Sequence, residues 1–225
     1  KVFCEFRDDP EMWVAILTGA GDKAFSAGND LKYQAETVAA GKPMWVRPEG
    51  DSGSFHIDYE CHKPIIAAVN GYALGGGTEI ALSCDLRVME ESAYLSFKQA
   101  RVGLMPGWGG GARLLRLAGY ARAMELLTTC RDLPAREALA IGVANAVAPD
   151  GEGLAEGRRI AREIVRAAPL SVRSIKKLLI EAAEKPMTEA ADLEARLFSR
   201  IWTSEDHDEA VRAFFEKREP QWNDE

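Results

Sequence analysis

Two glycine-rich turns and one carboxylate are the parts of this sequence whose types and spacing could do chemistry. The first turn is Ala24-Phe-Ser-Ala-Gly-Asn-Asp-Leu31 and the second is Asn70-Gly-Tyr-Ala-Leu-Gly-Gly-Gly-Thr-Glu79. Each follows an apolar run that reads as a strand, Trp13 to Thr18 and Pro64 to Val69. Glycine permits close backbone approach and unusual φ. A helix opening at Gly75–Gly77 leaves its first N–H groups free and its positive end bare. Such groups bind a phosphate, or the oxyanion that develops when a carbonyl is attacked or enolised. Taken alone, either turn is equally well explained by tight packing of backbone against helix. Glu79 lies one turn into the second helix, followed by the apolar Ile80, Ala81 and Leu82. An isolated acid at such a place suits proton transfer, and a solvated helical glutamate is the plain alternative.

Other chemistries fit less well. A strand, glycines and a helix also describe a dinucleotide turn, but glycines at 71, 75, 76 and 77 miss the G-x-G-x-x-G spacing. Ser26 and Ser83 lack a nucleophile-elbow context. Cys4, Cys61, Cys84 and Cys130 form no C-x-x-C pair, and His56, His62 and His207 have no metal-ligand spacing, so no metal site is expected. The net charge of -7 over 225 residues argues against nucleic acid or an anionic membrane as the main partner. No apolar run is long enough to span a membrane, no signal peptide is visible, and cysteines without a C-x-x-C pair suit a cytoplasmic setting.

The elements that must position these residues divide into two stretches. Up to about residue 110, short apolar runs alternate with glycine-rich turns. Asp85–Met89 and Tyr94–Phe97 read as further strands, and Asp30 to about Ala40 reads as a helix. Residues 41–54 hold prolines and glycines and read as a mobile loop. Strands separated by helices imply an α/β core. From Gly111 the pattern is helical: a stretch through Leu114–Leu127, then Pro134–Ile141, Leu154–Ala167, Ser171–Ala183 and Met187–Trp202. A last helix follows Ser204 as N-cap, with acids in its first turn. The boundary expected between core and helical region lies near residue 150, giving 1–150 and 151–225. Residues 1–6 read as the tail of a helix, so the sequence is expected to begin partway into a domain.

Together the two turns resemble the oxyanion-hole segments of the crotonase (enoyl-CoA hydratase/isomerase) superfamily. Residues 24–31 resemble A-F-x-A-G-x-D-[IL], and residues 70–85 resemble N-G-x-A-x-G-G-G-x-E-[LI]-A-x-x-C-D. Leu104-Met-Pro-Gly-Trp-Gly-Gly110 is similar to the turn that follows, and Phe198 through Trp222 to the family's C-terminal tail. The resemblance covers nearly the whole chain, except that the family domain normally begins earlier, with strands and a helix that this sequence lacks. It implies a crotonase-like spiral of ββα turns with a helical C-terminal region through which copies assemble as trimers or hexamers. It implies an acyl-CoA thioester as substrate, with coenzyme A part of that substrate and no separate cofactor. The backbone N–H groups of Asn29 and Gly76 would hold the thioester oxygen. Lys23, Phe25, Ala27, Asp30 and Leu31 would surround the CoA moiety. Trp108 and Met105, flanking the Pro106-Gly107 turn, would line the acyl pocket or sit in the core.

Glu79 matches a catalytic carboxylate of the hydratases. The second one falls on Gln99, which neither takes nor gives a proton at ordinary pH. Hydration by two acid/base groups is therefore expected to be impaired. The family pattern as a whole still implies hydration or isomerisation; loss of carbon dioxide from a malonyl-type (methylmalonyl or ethylmalonyl) thioester, which needs only the enolate to be stabilised, is the close alternative. A non-catalytic binding module of the same fold is the remaining alternative.

Overall fold

The computed structural model describes residues 2–42 and 61–224. Apart from Gly41 and Lys42, the expected mobile loop at 41–54 lies outside the described residues. The chain divides into two compact units. One comprises described residues 16–42 and 66–158, and the other 2–15, 61–65 and 159–224.

The first unit is built from strand pairs that feed two sheets in turn. Strands β1 (Ala15–Thr18), β3 (Ile65–Val69), β5 (Leu86–Glu90) and β8 (Ala146–Ala148) lie in that order in one four-stranded sheet. Strands β2 (Ala24–Ser26), β4 (Tyr72–Leu74), β6 (Tyr94–Ser96) and β7 (Asp132–Pro134) form the other. Each early pair ends in a helix: α2 (Leu31–Ala39) after β2 and α3 (Gly76–Ser83) after β4. The β2–β4, β3–β5, β4–β6 and β5–β8 pairs are parallel, and β7 joins its sheet antiparallel, against β6. Stepping one strand per sheet with each turn is the spiral of ββα units that the resemblance implies. All five residues of β3 are buried, as expected for a parallel strand covered on both faces. Buried Arg87 stands in this core with its guanidinium donating to the carbonyls of Val143 and Cys84 at 2.6 Å each.

After β6 come a 3-10 turn (Gln99–Val102) and helices α4 (Gly110–Ala118), α5 (Tyr120–Thr129) and α6 (Ala135–Ala140). The helical stretch expected through 114–127 is thus two helices, parted at Gly119, whose φ of 78° favours a residue with no Cβ. Thr78, fully buried on α3, ties three elements together. Its hydroxyl donates to the Ala73 carbonyl (2.6 Å) and accepts from the Ser96 N–H (3.1 Å).

The second unit is helical. Besides α1 (Val2–Asp8) it holds α8 (Pro169–Ala182), α9 (Met187–Trp202) and α10 (Glu205–Glu216); α7 (Gly153–Val165) begins in the first unit and ends here. Lys63 caps the end of α1, its Nζ donating to the carbonyls of Phe6 (2.9 Å) and Asp9 (2.5 Å). Ser204 caps α10 by accepting from the His207 N–H, as its position in the sequence predicts. Beyond α10 the chain turns at Lys217 and folds back. Arg218 forks onto Glu209 (2.5 and 2.9 Å), the Gln221 N–H donates to Glu209 (2.9 Å), and the Asn223 N–H donates to Asp206 (2.8 Å). The paired guanidinium holds the Glu209 carboxyl at about 2.

Two stability tests follow. Thr78→Val strands the Ser96 N–H in the core and should lower unfolding free energy by about 1–3 kcal/mol in urea titration. The folded Glu209 value lies below the ordinary 4.5, so its stabilisation is complete above that value and lost as pH falls through about 2. Melting curves of Glu209→Gln should therefore lie furthest below wild type above pH 4.5 and converge on it toward pH 2.

Candidate active site

The two glycine turns meet within the first unit. A Cβ on Gly28 would stand 2.7 Å from the Leu74 carbonyl oxygen and 3.0 Å from the Gly76 nitrogen. A Cβ on Gly77 would stand 2.2 Å from the Ser26 carbonyl oxygen. Only glycines allow segment 26–29 to lie this close against the start of α3. Asn70 anchors the preceding turn: its Nδ2 donates to the carbonyls of Gly19 (3.0 Å) and Gly21 (2.8 Å), and its Oδ1 accepts from the Gly19 N–H (3.0 Å). Gly75, with φ of 52°, donates its N–H to Ser96 (2.8 Å) and turns the chain into α3. Neither the Asn29 nor the Gly76 N–H has an acceptor among the described residues.

Beside this junction lies a cavity of about 300 Å³. Segment 27–31 contributes Ala27, Asn29 and Leu31, α3 and its approach contribute Leu74, Gly75, Gly76 and Glu79, and the stretch after β6 contributes Gln99, Met105 and Trp108. Most of the surrounding side chains are apolar, which suits an acyl chain with a few fixed polar groups.

Glu79 is 3% exposed, yet three N–H groups reach its carboxylate. Oε1 accepts from the backbone N–H groups of Trp108 (2.8 Å) and Gly110 (3.0 Å), and Oε2 accepts from Gln99 Nε2 (3.0 Å). Gly110 must be glycine for this to happen, because a Cβ there would stand 2.4 Å from Glu79 Cγ. The amide of Gln99 is oriented by its bond to a pure acceptor. Its Oε1 is left buried with no donor among the described residues.

The remaining candidates are dispersed. Phe25 is 8% exposed and belongs to the core of β2. Asp30 caps α2, accepting from the N–H groups of Lys32 (2.9 Å) and Tyr33 (3.1 Å). Lys23 lies just before β2, where its carbonyl accepts from the Tyr72 N–H (3.2 Å) and its side chain is exposed. Reasoning from sequence missed Gln34 and Lys98, which also line the cavity. The Lys98 ammonium is engaged by Asp132 (2.7 Å) and the Cys130 carbonyl (3.1 Å), and it holds the Asp132 carboxyl below the usual carboxylate range. Sequence reasoning also missed the Trp108 and Gly110 N–H donors, although the Gly109-Gly110 pair ahead of an amphipathic helix signalled a close approach.

Comparison with known proteins accords with this geometry. The family model described as enoyl-CoA hydratase/isomerase matches residues 1–225. A carnitinyl-CoA dehydratase from Salmonella typhimurium is 40% identical over 226 residues, covering 99% of this chain and 85% of the relative. The solved structure of a probable enoyl-CoA hydratase/isomerase from Mycobacterium abscessus superposes with a TM-score of 0.90 at 34% identity, covering 100% of this chain and 86% of that one. An enoyl-CoA hydratase from Mycobacterium marinum gives 0.88 at 35% identity with the same coverage. The family match over the whole chain and these likenesses in sequence and fold show that the chain is an acyl-CoA-acting enzyme of the enoyl-CoA hydratase/isomerase family, with the crotonase fold.

Proposed function

We propose that this enzyme adds water to, or removes it from, the α and β carbons of an acyl-CoA thioester, with Glu79 as its one side-chain acid and base. The observation that carries this is the Glu79 carboxylate, buried at the cavity one helical turn from Gly76 and fixed by three N–H donors. In hydration, Glu79 takes a proton from water as the water oxygen bonds to the β carbon. The double-bond electrons move toward the thioester oxygen, which the Asn29 and Gly76 N–H groups hold as an enolate. The enolate then takes the proton back from Glu79 at the α carbon, and the carboxylate is restored. Dehydration is the reverse, and the dehydratase named among the relatives performs that type of reaction. The same single base would shift a double bond by carrying one proton from carbon to carbon. Every step uses protein groups and water.

Gln99 supports this reading in two ways. Its Nε2 steadies Glu79. Being uncharged, Gln99 also leaves Glu79 as the acid and base of the pair. Lys23, Ala27, Asp30 and Leu31 are the positions we assign to the CoA moiety, with Phe25 supporting them from the core. Met105 and Trp108 are assigned to the acyl group. The apolar side chains left exposed on α9 and α10, Phe198, Trp202, Phe214 and Phe215, support assembly into trimers or hexamers. Four cysteines with no C-x-x-C pair among them suit the reducing conditions of a cytoplasm.

One observation favours a second reading. An uncharged Gln99 beside Glu79 removes a negative charge that would repel a carboxylated acyl group, so decarboxylation of a malonyl-type thioester is the alternative. Mass spectrometry of a 2-enoyl-CoA and of ethylmalonyl-CoA after mixing with enzyme separates the two. Gain of one water by the enoyl ester supports hydration, whereas loss of carbon dioxide from the malonyl ester alone replaces it. Glu79→Gln should cost about 10²–10⁴-fold in kcat. It should still fold, because Gln99 can turn its free Oε1 toward the new amide. Unchanged turnover would make Glu79 a structural residue. Gly110→Ala pushes a methyl group against Glu79 and should lower kcat by about 10²-fold, since a shift of about 1 Å at a reacting group has that cost.

A further inference from the structure

Trp108 has two roles in the structure that separate cleanly into main chain and side chain. Its main chain is pinned at both ends: the N–H donates to Glu79 (2.8 Å) and the carbonyl accepts from Arg113 Nη1 (2.8 Å). Its indole lies against Gly76. A Cβ on Gly76 would stand 2.6 Å from the ring's Cζ3 and 3.1 Å from Cη2. The ring therefore occupies the side-chain position of Gly76 and forms part of the cavity wall.

We infer that the Trp108 indole is the stop that limits the acyl chain, and that the substrates of this enzyme are short acyl thioesters. The inference rests on the reading above, in which the Gly76 N–H holds the thioester oxygen. With that oxygen fixed, the acyl carbons run from Gly76 toward Glu79, and the ring that covers Gly76 stands beside them. The other large apolar groups at the cavity give way more easily. Leu104 and Met105 are 61% and 80% exposed, and their side chains can swing into solvent. The indole is less exposed than either, packs against Gly76, and is carried by a backbone held from both sides. At about 300 Å³ the cavity is at the small end for ligand sites, and the thioester itself takes part of that space.

Truncating the side chain leaves both main-chain hydrogen bonds in place, so volume can be tested apart from the setting of Glu79. Calorimetric Kd values for saturated butanoyl-, hexanoyl-, octanoyl- and decanoyl-CoA need no turnover. For the wild type, affinity should fall by about tenfold or more between butanoyl- and decanoyl-CoA, the scale of discrimination that a pocket wall gives. Trp108→Ala should abolish that fall, and Trp108→Phe should give an intermediate series and serve if the alanine variant does not fold. Wild-type enzyme that binds decanoyl-CoA as tightly as butanoyl-CoA would overturn the inference. So would a length dependence unchanged by either substitution. Failure of all four thioesters to bind would overturn the placement of the thioester along with it. Absence of hydration with the binding series intact would count against the proposed reaction alone.

Discussion

The site depends on the approach of one backbone to another at distances that exclude a side chain. Segment 26–29 lies against the N-terminus of α3 at Gly28, Gly76 and Gly77, and the start of α4 lies against Glu79 at Gly110. Each contact brings free or donating N–H groups to one small region. The sheets make this possible. Because β2, β4 and β6 are neighbours in one sheet, the chain leaves each of them on the same side and the turns that follow are stacked. Thr78 then locks α3 to β4 and β6 from within the core.

A buried carboxylate is costly unless its lone pairs are satisfied. Here the protein meets that cost with two backbone N–H groups and one neutral amide rather than with a cation. Main-chain donors are fixed by the fold and need no side-chain ordering when substrate enters, which is the preorganisation that electrostatic catalysis requires. A glutamine in place of a second carboxylate changes what the pair can do. It can orient a water molecule and steady its neighbour, but it cannot share the proton. The chemistry we assign therefore runs through one group that takes a proton and returns it.

Much of the fold was legible because its signals are long or strongly typed. The buried run Ile65–Val69, the Ser204 cap and the helix Met187–Trp202 follow from composition and periodicity. Strands β2, β4, β7 and β8 did not: each has three residues set among turn residues, whereas the equally short β6 lies in the aromatic and apolar stretch Tyr94–Phe97. Tyr72–Leu74 in particular sits between glycines and reads as part of a turn. Near the site, the resemblance carried by the two glycine turns pointed to Asn29, Gly76 and Glu79, all of which line one cavity. The Glu79–Gln99 hydrogen bond spans 20 residues, and the Trp108 and Gly110 donors belong to the main chain, where side-chain identity carries no signal. The resemblance set Asp30 beside the CoA moiety, and its carboxylate also caps α2, a task that the resemblance did not announce.

The central claim is that one carboxylate handles both proton transfers, and the stereochemistry of water addition tests it most directly. Glu79 can deliver only to the face of the acyl group from which it activates water. Hydration of a 2-enoyl-CoA in deuterated water, with the product's configuration read by NMR, should place the α-deuterium and the β-hydroxyl on the same face. Deuterium on the opposite face would require a second proton donor across the cavity and would contradict the account.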